Sequence, residues 1–316
     1  MTLPETMQPL HGFFMIVAFV LGTMVGSFCN VCISRWPAGE SVVRPRSRCP
    51  KCMNGIAWFD NIPLLSWLAL GAKCRHCGLP ISWVYPVVEG LTGFLFLAAY
   101  WKFGFSPATP VYMLLCAGLV IVTFQDLADW TIPNEITLPG IPLGIAVGLG
   151  GMLLGPESGL RVTSVFDALL GALLGGGILY GLDRITVLLL KKPGMGFGDV
   201  KLLALIGAFL GWRGALGTLM LASVIGSVVG LGMIGWFRMR GEKAQTPDAG
   251  TDAPDAADTA DTAGNSDEEI TLEGHYLPFG PYLALGGLLY LFFGAELIDL
   301  YLNLFRSTGT VLVIPE

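Results

Sequence analysis

Long apolar runs separated by short polar or basic segments dominate this chain. Gly12 to Val31, Val111 to Thr123, Ile136 to Leu154, Val165 to Leu190 and Gly214 to Trp236 are examples. A helix needs about 20 apolar residues to cross the hydrocarbon core of a bilayer. The pattern predicts eight such segments, at 12–34, 86–104, 109–127, 136–154, 164–189, 199–212, 215–237 and 281–304. The sixth is the shortest, cut off by Trp212 and Arg213 after an opening at Gly198. The expected fold class is an all-α polytopic membrane protein with about eight transmembrane helices. Composition agrees: 53% of the 316 residues are hydrophobic and 13% charged, too apolar a balance for an ordinary soluble domain. The first span lacks a basic leading region and a small-residue cleavage site, so it reads as a retained helix.

Lysine and arginine placement orients the chain. With the N-terminus outside, 14 of the 18 basic residues fall in inside segments; the other four, Lys102, Arg161, Arg213 and Arg306, fall outside. Both termini are therefore expected outside. The formal charge of −6 belongs to one loop: residues 241–274 hold ten acids against Lys243, and the remainder carries 17 basic and 14 acidic residues.

The chain divides into a first transmembrane helix (1–34), a Pro-, Arg-, Cys- and Trp-rich inside segment (35–85), a transmembrane core (86–240), the acidic loop (241–274) and a last helix with the C-terminus (275–316). Almost no large apolar residue precedes Ile270 in the acidic loop, so it cannot bury enough surface to offset its ordering entropy. It is expected to be a disordered linker on the inside face.

Four of the seven cysteines form two knuckles, Cys49-Pro50-Lys51-Cys52 and Cys74-Arg75-His76-Cys77. Two thiolates three positions apart turn onto one ion, and a second pair completes a tetrahedral shell. A small cytoplasmic domain holding structural zinc on Cys49, Cys52, Cys74 and Cys77 is expected between helices 1 and 2. A four-sulfur shell leaves no open coordination position, so its role is structural. Cys29, Cys32 and Cys116 lie in apolar spans and read as packing residues.

Ionisable groups beside spans are costly and need a reason. Asp126 and Asp129 fall at the inner end of the third span and Asp199 at the start of the sixth, so the charge-derived topology brings them to one boundary. Two carboxylates at one depth fit an aspartic protease dyad, in which a shared proton lets one group act as base and the other as acid. Gly196 and Gly198 would let an extended substrate lie beside Asp199. His11, His76 and His275 are poorly placed for a serine-protease triad, and neither H-E-x-x-H nor a P-loop is present.

At these residues the chain resembles the prepilin peptidase family, the type IV leader peptidases in their bifunctional bacterial form. The stretch Gly26-Ser27-Phe28-Cys29-Asn30-Val31-Cys32-Ile33-Ser34-Arg35-Trp36-Pro37 looks like the family's N-terminal signature. Ser47 to Cys52, Asn61 to Trp67 and Cys74 to Cys77 are similar to its cytoplasmic domain. Gly194 to Lys201 matches G-M-G-x-G-D-x-K, and Pro278-Phe279-Gly280-Pro281 resembles the motif before its last span.

The resemblance implies that Asp126 and Asp199 are the catalytic pair, since Asp126 stands seven residues before Pro133 and Asp129 does not. Gly196, Gly198 and Lys201 would then position substrate. It implies cleavage after the glycine of a basic leader on type IV prepilins or pseudopilins at the cytoplasmic face of the bacterial inner membrane. It further implies N-methylation of the new N-terminus by S-adenosylmethionine, although no methyl-donor site is legible. Prepilin substrates and the lipid bilayer are the implied partners, with no nucleic acid. Pro193 and Asn134 depart from the family pattern, where Glu and Asp are common; neither is expected to abolish proteolysis, and the expected effect is on substrate preference or on the titration of the dyad.

Two alternatives stand beside this. A presenilin-like intramembrane protease shares G-x-G-D but is expected to carry Tyr-Asp and Pro-Ala-Leu, where this chain has Gln125-Asp126 and Pro278 to Pro281. A non-enzymatic zinc-domain scaffold or transporter would use the aspartates as ion-path residues.

Overall fold

A computed structural model of the chain describes residues 10–191, 196–239 and 278–307. Helix α1 (His11–Arg35) leads into an irregular segment holding a single helical turn (Trp58–Asn61) and the short α2 (Leu65–Ala69). The bundle continues with α3 (Val84–Phe103), α4 (Ala108–Asp129), α5 (Asn134–Leu154), α6 (Val165–Leu190), α7 (Phe197–Met239) and α8 (Gly280–Ser307). Among the described residues the regular structure is helical apart from two isolated β-bridges. Among the described residues, six helices are long and apolar enough to cross a membrane, and a shorter apolar stretch, Gly280–Gly294, opens α8. This is a multi-pass membrane protein.

The expected spans map onto these helices within a few residues. The sixth and seventh merge into α7, whose 43 residues would reach about 65 Å if straight, twice the hydrocarbon thickness. Gly211 interrupts that run at φ 74° and ψ −179°, a conformation open to glycine and strained for other residues. The Asp167 carboxylate, in the first turn of α6, accepts the Trp212 N–H at 3.3 Å where the helix restarts. The sequence boundary at Trp212 is thus a break within one element. The end of α7, residues 226–239, belongs to a separate unit. The acidic loop lies outside the described residues.

Helix association in lipid depends on close packing, since the tails are as apolar as the side chains. In α1 and α3 small residues allow it: a Cβ on Gly22 would lie 2.7 Å from Gly93 Cα, and one on Gly26 would lie 2.7 Å from Glu89 Cα. The most buried of the six spans is α4. Its Tyr112, Leu119 and Val122 join Leu203 and Ile206 of α7 and Leu283 and Leu291 of α8 in one core. The outward side chains, Phe13, Met24, Phe94 and Leu173 among them, are exposed and apolar, as a lipid-facing surface requires.

Candidate active site and four-cysteine domain

Each aspartate lies at a helix end: Asp126 in the last turn of α4 and Asp199 in the first turn of α7. Helix α4 ends at Trp130, whose left-handed conformation (φ 56°) turns the chain while its N–H still bonds to Asp126 O at 3.1 Å. Ile132 and Pro133 then lead into α5. At the start of α7, the Asp199 N–H bonds to Gly196 O at 3.1 Å and sets the first turn. Asp126 is 5% exposed and Asp199 8%. Asp129, three residues after Asp126, is exposed.

Ile132 and Gly280 complete the setting. A Cβ on Gly198 would lie 2.9 Å from Ile132 Cβ, and one on Gly280 would lie 3.1 Å from Ile132 Cδ1 and overlap Asp126 Oδ2. The backbone at the start of α8 therefore stands against the α4 carboxylate. Oδ2 of Asp126 is buried with no hydrogen-bond partner among the described residues, and so is Oε1 of its neighbour Gln125.

The other residues singled out in the sequence are differently placed. Gly196 is exposed beside Asp199 and has room for a methyl group, with Asp199 Oδ2 at 3.7 Å. Gly198 has the tight intramolecular contact with Ile132. Lys201 donates to Asn134 Oδ1 and lies over the Phe197 ring at 5.5 Å, tying the first turns of α5 and α7 together. Lys192 to Met195, with the first glycine of the motif and Pro193, lie outside the described residues. Sequence reasoning missed the contact of Gly280 with Asp126; the signal available was the Pro278 to Pro281 motif itself.

The cysteine segment folds as two like turns. Cys49 N–H bonds to Asn54 O and Cys74 N–H to Leu79 O, each at 2.9 Å. Met53 and Gly78, at matching positions, both take positive φ. The turns bring Sγ of Cys49, Cys52, Cys74 and Cys77 within 4.8 Å of one another, with Cys49 and Cys77 at 4.0 Å. Four sulfurs around zinc at about 2.3 Å would stand about 3.8 Å apart, so the set fits a metal such as zinc with a small contraction.

Ionisation within the cluster is uneven. Backbone N–H groups of Cys77 and His76 draw the Cys74 thiol down to about 6. Cys52, despite the Asn54 N–H that favours its thiolate, is pushed up to about 11 by desolvation and the neighbouring sulfurs. Arg75 grips Asp60 through two bonds of 2.7 and 2.6 Å and holds that carboxyl below its usual range.

Residues 20–103 match the model of the bacterial peptidase A24 N-terminal domain, and residues 113–231 match that of the type IV leader peptidase family. The chain is 39% identical to a prepilin leader peptidase/N-methyltransferase of Myxococcus xanthus, covering 93% of each chain. It is 34% identical to proteins of the same name from Stutzerimonas stutzeri, over 93% of this chain and 95% of that one, and Aeromonas hydrophila, over 95% and 98%. This chain belongs to the type IV leader peptidase family. Membership sets aside the presenilin-like and non-enzymatic readings. No solved structure matches it. The first family model covers the cysteine segment with α3 and the part of α1 from Val20, and the second covers both aspartates.

Proposed function

We propose that this protein is a membrane aspartic endopeptidase that removes the leader of type IV prepilins or pseudopilins and then N-methylates the new terminus. The observation that supports the reading is a pair of buried carboxylates, Asp126 and Asp199, on different helices, with Ile132 packed both on Gly198 beside Asp199 and next to Gly280, which touches Asp126. One carboxylate takes a proton from water as it attacks the scissile carbonyl, and the other protonates the leaving amine. The roles then reverse to restore the pair. Burial keeps the dyad from dispersing its charge in bulk water, and the exposed Gly196 leaves a side of Asp199 open to substrate.

The site faces the cytoplasm of the inner membrane with both termini outside, a placement supported by the basic residues near this end of the bundle. The four cysteines hold one structural zinc, supported by the sulfur geometry. The methyl donor is S-adenosylmethionine, supported by the N-methyltransferase named for the relatives. Mass spectrometry of the N-terminus of a co-expressed prepilin tests the whole reading. Leader loss with a mass gain of one methyl group supports it, and an intact leader with active relatives assayed in parallel refutes it.

A further inference from the structure

Helix α3 marks the edge of the bilayer beside the cysteine segment. Its 20 residues, Val84–Phe103, reach about 30 Å, the thickness of the hydrocarbon core, so each of its ends stands near a membrane surface. Tryptophans mark the first of these surfaces. Trp83 precedes α3, and the antiparallel α1, packed on it through Gly22 against Gly93 and Gly26 against Glu89, closes at Trp36. Tryptophan collects at this level because one part of its ring system is apolar and its N–H is polar. Along α3, Val87, Phe94 and Trp101 recur every seven residues as one exposed apolar stripe, the side that meets lipid.

The short α2 is fastened to that side. Gly90 falls on the same stripe, between Val87 and Phe94, and a Cβ there would stand 3.8 Å from Leu64 Cδ2. The Leu64 N–H donates to Oε2 of the buried Glu89 at 2.8 Å. Leu64 takes φ 60° and ψ −50° while the Leu65 N–H closes onto Pro63 O at 2.6 Å, a strained three-residue turn. A bond to a membrane helix holds this strain, so α2 begins alongside the span. Gly90 is six residues into α3, which puts the start of α2 roughly 9 Å along the span from its near end.

What α2 presents outward is apolar. Leu65 and Leu68, one helical turn apart, are 65% and 67% exposed, while Ser66 is buried. Ser66 Oγ donates to Phe59 O at 2.9 Å and accepts the Ile62 N–H at 3.0 Å, joining α2 to the turn that bears Trp58 and Phe59. Both of those rings are exposed, Trp58 at 82%. Arg75, paired with Asp60, lies over the Phe59 ring at 5.7 Å and gives the patch a polar margin. An apolar helical face with a polar margin lies in a membrane surface at a depth of roughly 5–10 Å, which the position of Gly90 matches.

We propose that Trp58–Leu68 is an interfacial foothold of the cysteine segment. Trp58, Leu65 and Leu68 seat in the headgroup region of the bilayer beside α3, and the bond from Leu64 to Glu89 is the strut that sets their depth. The occupant is lipid, because the patch continues a face of α3 that lipid covers and lies at the level of the membrane surface. The foothold gives the four-cysteine turns a third attachment to the membrane, besides the chain's own entries at α1 and α3.

The test places a fluorescent amino acid singly at Trp58, Leu65 or Leu68, with the exposed Lys51 as the comparison site, in full chain held in phosphatidylcholine nanodiscs. Nitroxide carried by the lipid near its headgroup quenches from the membrane, and iodide quenches from water. Melting temperature and metal content serve as fold controls, and the three patch sites stand in for one another where one variant misfolds. Lipid quenching at the patch sites is expected to exceed that at Lys51 by roughly threefold or more, with iodide giving the opposite order. Iodide quenching at Leu65 and Leu68 equal to that at Lys51 would overturn the foothold. Shielding from both quenchers would also overturn it, since protein would then cover the patch. Glu89→Ala removes the acceptor for the Leu64 N–H and should open Leu65 and Leu68 to iodide, whereas Glu89→Gln keeps an acceptor and should preserve the lipid quenching. Identical quenching in both variants would overturn the role of Glu89 as the strut.

Discussion

Gly280 stands against Asp126 so closely that a Cβ would overlap the carboxylate oxygen Oδ2. The first residue of α8 is thus part of the surroundings of a carboxylate borne by α4, 154 positions earlier in the chain. Gly280→Ala is expected to lower leader cleavage by at least tenfold with the helical content unchanged. Gly177→Ala, where a Cβ meets nothing within 4 Å, is the matched control and should retain wild-type cleavage. Equal activity of the two variants in a prepilin cleavage assay would show that the contact is immaterial.

Asp126→Asn and Asp199→Asn should each reduce cleavage to background, because either change leaves the pair without its second titratable carboxyl. Asp129→Asn should keep substantial activity, since that side chain is exposed. Gel-shift assay of a co-expressed prepilin reads all three. An inactive Asp129→Asn beside an active Asp126→Asn would reverse the assignment.

Purified protein should contain about one zinc per chain, and Cys49→Ser with Cys52→Ser should remove it. Loss of the metal should loosen the two turns at 47–56 and 72–81, seen as faster proteolysis there, before it affects the aspartate chemistry. Metal analysis with zinc at background in the wild type would contradict this.

Lys201 was expected to position substrate, and the structure gives it a bond to Asn134. Lys201→Met should then act mainly on stability, by about 1 kcal/mol for one exposed hydrogen bond. A lower melting temperature with KM within twofold of wild type is the expected outcome. A large rise in KM at unchanged stability would show instead that Lys201 positions substrate.

Deletion of residues 246–266 should leave cleavage intact, because that composition offers almost nothing to a packed core. Cleavage lost in a stably inserted deletion variant would point to a docking role for the loop.

Hydrophobic run length fixes where helices cross, because the bilayer imposes one thickness on every span. The positions of α1 and α3 to α6 were therefore readable from single segments of sequence, as was the four-cysteine cluster, where short spacing limits the possible geometry. The aspartates at one boundary also followed from alternation of the spans. What needed tertiary structure were relationships between distant segments. The approach of Gly280 to Asp126, the packing of Ile132 on Gly198 and the bond from Lys201 to Asn134 each depend on how helices rotate and lean, which run length leaves free. Glu89 makes the same point: in sequence it is an acid near the start of a span, equally suited to lipid headgroups or a cavity. Only the folded chain places it beneath Leu64 and inside a cavity, because only packing decides which face of α3 meets the cysteine segment.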